Sequence, residues 1–194
     1  SIDWNNEIFS DRVDRTDRTF RRKQDDVILM VQGRVRFKGI KPTIPGGVLG
    51  GQRLELFLQG LETTSTGETD FDAFPIPYRA VAMDINDGAA YVFKSGSMAT
   101  AMRASMSIPG MFAPVEIDGM KLVDGGAVAN LPGRIARSLG ADRLIAIDIS
   151  SDYGSSEDKD ISFLSTISKL NSLLIFSNRV EDVKQLQPGD VYIR

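Results

Sequence analysis

Residues 121–132 read Lys121-Leu122-Val123-Asp124-Gly125-Gly126-Ala127-Val128-Ala129-Asn130-Leu131-Pro132. Lys121 to Val123 suits a short strand, and Asp124 falls where that strand ends. An aspartate at a strand exit puts a carboxylate at the edge where open α/β sheets place their ligands. The two glycines behind it let the backbone turn steeply and let another segment or a substrate come close. Taken alone, Asp-Gly-Gly also reads as a plain turn. Pro132 suits the first turn of a helix running to Leu139, with Gly140 beyond its end.

Working outward, the neighbouring segments alternate strand and helix patterns. Upstream, Ser97 is placed to cap a helix through Ser105, because its hydroxyl can accept from free first-turn amides. Before it, Ile76 to Ile85 reads as a buried strand, with Asn86-Asp87-Gly88 turning into a second strand from Ala89 to Phe93. Leu54, Phe57, Leu58 and Leu61 line one face of a helix. The segment 63–70 is polar and reads as a loop, as does Pro42-Thr43-Ile44-Pro45-Gly46-Gly47. Val35 to Ile40 alternates as a strand does, Val27 to Met30 is a short apolar run, and residues 1–26 read as an irregular exposed arm.

Downstream, Leu144 to Ile149 is an almost continuous apolar run, as expected of a parallel strand covered on both faces. After a polar loop (150–160), Phe163, Leu164, Ile167, Leu170 and Leu174 mark a long amphipathic helix. Strands interleaved with helices predict an α/β layer fold with a mostly parallel sheet. The chain starts without methionine and ends at Val191-Tyr192-Ile193-Arg194 in what reads as mid-strand, so one domain truncated at both ends is expected, with no second domain.

Composition narrows the chemistry. There are 23 basic and 26 acidic residues, a balance unlike that of a general nucleic-acid binder. Arg18, Arg21, Arg22 and Lys23 gather locally, and read either as a solvated cluster or as a contact for anionic headgroups. With no cysteine and no histidine, these residues cannot build a Ser-His-Asp triad, a Cys-His pair or a Cys- or His-ligated metal site. No run of about 18 apolar residues exists to span a bilayer as a helix, and Ser1-Ile2-Asp3-Trp4 does not open like a signal peptide.

Several further stretches carry a family likeness. Arg103-Ala104-Ser105-Met106-Ser107-Ile108-Pro109-Gly110 is followed by Phe112-Ala113-Pro114-Val115, then by Leu122-Val123-Asp124-Gly125-Gly126, Asn130-Leu131-Pro132 and Leu139-Gly140-Ala141-Asp142. In order and spacing this series closely resembles the patatin-like phospholipase family. Phe20-Arg21-Arg22-Lys23-Gln24-Asp25-Asp26 and Pro188-Gly189-Asp190-Val191 resemble its bacterial branch of secreted, outer-membrane-tethered members. The resemblance implies a three-layer α/β fold and a lipid acyl hydrolase of phospholipase A type working through a Ser-Asp dyad. Asp124 matches the family's aspartate, with Gly125 and Gly126 supporting it, and no histidine is then needed. The family's glycine-rich oxyanion loop and Gly-x-Ser-x-Gly elbow are missing, so this chain is expected to be the C-terminal portion of the domain, inactive by itself. The resemblance also implies no metal or organic cofactor, a lipid or membrane-surface substrate, and a bacterial envelope or secreted setting. Ile108, Pro109, Met111 and Phe112 are the candidate lining of an acyl-chain groove.

Other residues compete for these roles. Ser95-Gly96-Ser97-Met98-Ala99 looks a little like an elbow but lacks both glycines it would need, so Ser97 is assigned to capping. Ser105 and Ser107 are expected to pack beside the site. Asp84 and Asp148 stand at strand ends, where solvation or a hydrogen bond to a loop is the simpler role. Met98, Met102, Met106 and Met111 fill core gaps or line an acyl pocket. Gly46-Gly47 with Gly50-Gly51 lacks the spacing of a dinucleotide loop. The rival to an enzyme is a non-catalytic lipid-binding or interaction module of the same fold.

Overall fold

The computed structural model describes the backbone of residues 36–38, 41–43 and 47–49, and residues 51–62, 69–150 and 163–194, without the side chains of 163–165 and 168. The expected arm (1–26), the run 27–30 and most of the two polar loops lie outside the described residues.

Helices and sheets are mixed along the chain. Strands β1 (Arg36–Lys38), β2 (Lys41–Thr43) and β3 (Gly47–Leu49) precede helix α1 (Gln52–Glu62). Pro42 and Gly47 therefore stand in strands, not in the loop their residue types suggest: Pro42 sits opposite Phe37 in the short antiparallel β1–β2 pair, where a missing N–H is tolerated at an edge. Next come β4 (Ala80–Asp84), β5 (Ala90–Phe93), α2 (Met98–Ser105), β6 (Gly110–Phe112), β7 (Val115–Ile117) and β8 (Met120–Asp124). A 3₁₀ turn (Gly125–Ala127), α3 (Gly133–Ser138), β9 (Ile145–Ile147), α4 (Phe163–Lys184) and β10 (Val191–Ile193) complete the order.

The central four-stranded sheet runs β5-β4-β8-β7 and is antiparallel throughout. Among the described residues parallel pairing is confined to β3 with β6 and to β9 with β10. Connection length explains two of these antiparallel pairs, β4 with β5 and β7 with β8. The turns at Asn86-Asp87-Gly88 and Asp118-Gly119 are too short for a crossover, so each joins antiparallel neighbours. Gly88 and Gly119 take positive φ of 74° and 82° in them.

Two packed clusters hold α2 between the sheet and α1. On the sheet side, Ala101 and Ala104 meet Phe71, Ala80, Ala82, Phe93 and Leu122; on the other side, Ala99 meets Leu54, Leu58 and Phe112. Alanines on both faces of α2 let the layers approach closely, which bulkier side chains would prevent. Met98, Met102 and Met106 pack against these clusters, while Met111 is exposed. The strand expected over 76–85 is shorter than its apolar run: Ile76 and Ile85 are exposed, and only Ala80–Asp84 pairs.

Two apolar expectations are corrected. Ile145 and Ile147 are 71% and 61% exposed, so among the described residues nothing covers that face of β9. Its opposite face carries Asp148, buried with Arg179 of α4. Likewise α4 leaves Leu170 and Leu174 exposed and buries Asn171, Arg179 and Asp182. Of these, Asp182 accepts from the Leu131 N–H and Arg179 lies 3.7 Å from Asp148.

Candidate active site

Asp124 closes β8, whose central Leu122 and Val123 are buried and anchor it from opposite faces. Its backbone N–H donates to the Ser107 carbonyl (3.0 Å), joining the strand exit to the segment leaving α2. Its carboxylate Oδ1 accepts from the Gly126 N–H at 2.8 Å, capping the 3₁₀ turn. Among the described residues no cation pairs with it. Burial pushes the carboxyl above its ordinary pKa, and the Gly126 amide opposes that shift in part. The result is a half-buried carboxylate with one Oδ atom bonded to an amide, an arrangement suited to taking up a proton.

Space requires glycine at 125 and is tight at 126. A Cβ on Gly125 would lie 2.2 Å from the Val81 carbonyl oxygen, so only glycine lets the turn pass over β4. A Cβ on Gly126 would meet Asp124 Oδ1 at 3.2 Å, Asn130 Oδ1 at 3.3 Å and Ile175 of α4 at 3.4 Å.

The 103–113 segment is built around a buried arginine. Arg103 stacks over the Phe112 ring (4.8 Å to the centroid) and donates to Ser107 Oγ (2.5 Å) and the Ala113 carbonyl (3.3 Å). Ser107 Oγ in turn donates to the Arg103 carbonyl at 2.7 Å, so this serine is committed to structure. Gly51, at φ 74°, makes room for the guanidinium: a Cβ there would fall 2.3 Å from it. That is the use the structure finds for this glycine. Of the candidate acyl lining, Ile108 and Pro109 are half-buried and Met111 is exposed, whereas Phe112 turns inward beside Leu54, Leu58 and Ala99.

The remaining candidates are accounted for locally. Ser97 Oγ accepts from Thr100 N–H (3.2 Å) and donates to Glu62 (2.9 Å), whose carboxylate also caps α2 through the Met98 amide (2.8 Å). Asp84 accepts from the amides of Asn86 and Lys121 and staples two hairpins. Asp148 accepts from the Tyr192 hydroxyl (2.6 Å) and from Ser150, with Arg179 at 3.7 Å. Burial would raise its pKa, but these partners outweigh it and hold the carboxyl below its ordinary value.

Polar groups on α4 were not singled out from the sequence, yet they grip the turn beyond Asp124. Asn178 Nδ2 donates to the Ala127 carbonyl (2.5 Å), and Asp182 Oδ2 accepts from Leu131 N–H (2.9 Å). Their signal was the spacing of Asn171, Asn178 and Asp182, which puts the three on one helical stripe. Two shallow clefts lie on the α3 side of this loop, both lined by Arg134 and Asp182; Asp124 lines neither. Among the described residues no acidic cluster suited to a metal ion occurs.

Comparison with known proteins places this geometry. The sequence profile of the patatin-like phospholipase family matches residues 4–137. The chain belongs to the patatin-like phospholipase family. Over 95 residues it is 39% identical to an uncharacterized NTE family protein of Mycobacterium tuberculosis, a match covering 48% of this chain and 26% of that one. Over 89 residues it is 44% identical to patatin-like phospholipase domain-containing protein 6 of Homo sapiens (45% of this chain, 6% of that one). Over 88 residues it is 42% identical to patatin-like phospholipase domain-containing protein 7 of Mus musculus (44% and 6%). The chain thus spans about a quarter of the mycobacterial relative and a small part of the mammalian ones. The mixed helices and sheets described above are those of the patatin-like domain, a three-layer α/β fold. No helix among the described residues is long and apolar enough to cross a membrane.

Proposed function

We propose that the parent protein is a serine-type lipid acyl hydrolase, of phospholipase A type, with Asp124 as its general base. One observation carries this: a half-buried carboxyl at a strand exit, raised in pKa by burial and bonded to the Gly126 amide, in a chain without histidine. Such a group can take a hydroxyl proton directly. The serine, on upstream sequence of the parent, attacks the ester carbonyl as its Oγ proton passes to Asp124. Collapse of the tetrahedral intermediate expels the alcohol, which leaves with the proton held by Asp124. Water then attacks the acyl-serine, Asp124 again takes the proton, and its return to serine releases the fatty acid.

The acyl chain lies along the outer side of Ile108, Pro109 and Met111, with buried Phe112 supporting that wall from beneath. The substrate is a lipid at a membrane surface, in keeping with the family. No metal or organic cofactor takes part. A bacterial envelope or secreted setting follows the resemblance of residues 20–26 and 188–191.

The test uses the intact parent protein, a fluorogenic carboxylic ester and phospholipid vesicles. Ester turnover and fatty-acid release that vanish in Asp124→Ala support the assignment; wild-type turnover in that variant removes it. A wild-type protein that binds vesicles and turns over no ester is instead a lipid-binding module.

A further inference from the structure

We infer that Asn178, on helix α4, is a positioning residue for the Asp124 carboxylate, acting through the 3₁₀ turn between them. The inference rests on the assignment of Asp124 as base. The chain of contacts is short. Asn178 Nδ2 donates to the Ala127 carbonyl at 2.5 Å and reaches the Gly126 carbonyl at 3.5 Å. On its other side, Gly126 donates its N–H to Asp124 Oδ1 at 2.8 Å. One glycine is therefore held from both ends, by the helix through its carbonyl and by the carboxylate through its amide.

The helix runs close beside the turn: Ile175 Cγ1 lies 3.4 Å from the position a Gly126 Cβ would take. Four residues after Asn178, on the same face, Asp182 accepts from the Leu131 N–H at 2.9 Å. Helix α4 thus fastens the loop at two points, one beside the turn and one beyond it. The same helix brings Ile167 to 3.1 Å from a Cβ built on Gly110, so it spans the turn and the start of β6 together.

Pairing of Asp124 with Ala82 fixes the backbone of β8 to its last residue but leaves the Gly126 amide beyond it to the turn and to α4. Without the amide of Asn178 the Gly126 and Ala127 carbonyls lose their tie to α4, and the turn, still closed by the Gly125 carbonyl's bonds from Val128 and Ala129, shifts as a unit so that the Gly126 N–H moves away from Oδ1. A displacement of about 1 Å in a reacting group costs about a hundredfold in rate.

The charges on the elements packed against the turn are engaged elsewhere. On α4, Asp182 is bonded to Leu131, Arg179 lies beside Asp148, and Glu181 pairs with Lys184. On β4, Asp84 accepts from Asn86 and Lys121. Burial and the Gly126 amide are what act on the Asp124 carboxyl. Losing that amide raises the carboxyl further, so the acid limb of the rate profile moves to higher pH.

The experiment compares wild type, Asp124→Asn, Asn178→Ala, Asn178→Asp and Asn178→Gln in the intact parent protein, on a fluorogenic ester from pH 4 to 9. Rates are taken per folded molecule, with the folded fraction from urea unfolding. Lys184→Gln, on the exposed end of α4, is the control. The expected result is a kcat about a hundredfold lower in Asn178→Ala and Asn178→Asp, KM unchanged, and an acid limb at higher pH. Asn178→Gln, which keeps the amide donor, recovers part of the loss. Near wild-type kcat in the Ala and Asp variants, or a lower kcat with an unmoved acid limb, overturns the inference while leaving Asp124 as base. If every Asn178 variant unfolds, the residue serves folding and the inference is also overturned. Wild-type turnover in Asp124→Asn removes the base assignment itself.

Discussion

Asp124→Asn should separate activity from stability in opposite directions. Asparagine keeps the shape of the side chain and an oxygen that can accept from Gly126 N–H, so the 2.8 Å cap of the turn persists. What it loses is the capacity to take a proton. A positioned base contributes about 10²–10⁴-fold, equivalent to about 2.7–5.4 kcal/mol of barrier, and kcat should fall by that factor. Stability moves the other way, because burial raises the Asp124 pKa in the folded chain. A carboxyl raised in this way costs nothing below its ordinary value of 3.8. The cost grows as pH climbs through the raised value and is full above it. Removing the charge removes that cost at neutral pH and gives no gain in strong acid. Thermal unfolding of both proteins at pH 7 and below pH 4, with ester turnover at pH 7, measures the two effects. A lower Tm for Asp124→Asn at neutral pH would refute the assignment of the raised pKa to burial.

Other expectations follow from the packing. Gly125→Ala places a methyl 2.2 Å from the Val81 carbonyl, a backbone atom that cannot step aside, so the urea midpoint should drop by the equivalent of about 1–3 kcal/mol. Arg103→Ala removes the stack on Phe112 and the bonds to Ser107 and Ala113, costing about 2–4 kcal/mol in urea unfolding. Acidification should weaken the β9–β10 junction: Asp148 has a lowered pKa, so its stabilisation is present above 3.8 and lost as pH falls through the depressed value. Asp148→Asn should flatten that acid limb in a Tm-versus-pH series, and an unchanged slope would remove Asp148 as its source.

How much was legible in the sequence depends on whether the signal was local. The Ser97 cap, the Asn86-Asp87-Gly88 hairpin and the glycine beyond α3 are set by residues within a few positions of one another, and each appears where its residue types require. Leu54 and Leu58 likewise bury on the face their spacing marks. Burial at a distance was not legible in this way. The apolar runs at β9 and α4 say that a face is greasy, but not whether another element lies against it. In the described residues Ile145, Ile147, Leu170 and Leu174 are exposed while Asn171 and Asp182 are buried. Nor was it legible that Phe112 turns inward, under Arg103 and into the α1–α2 core.

By itself the sequence determined the family, the aspartate at the strand exit and the glycines that follow it, because those are properties of consecutive residues and their order. Tertiary structure decided what surrounds the carboxylate. It set the burial that raises its pKa, the crossing of Gly125 over Val81, and the Asn178 and Asp182 contacts some fifty positions along the chain that fasten its loop. Those depend on how far elements distant in sequence approach one another, a distance governed by packing volume.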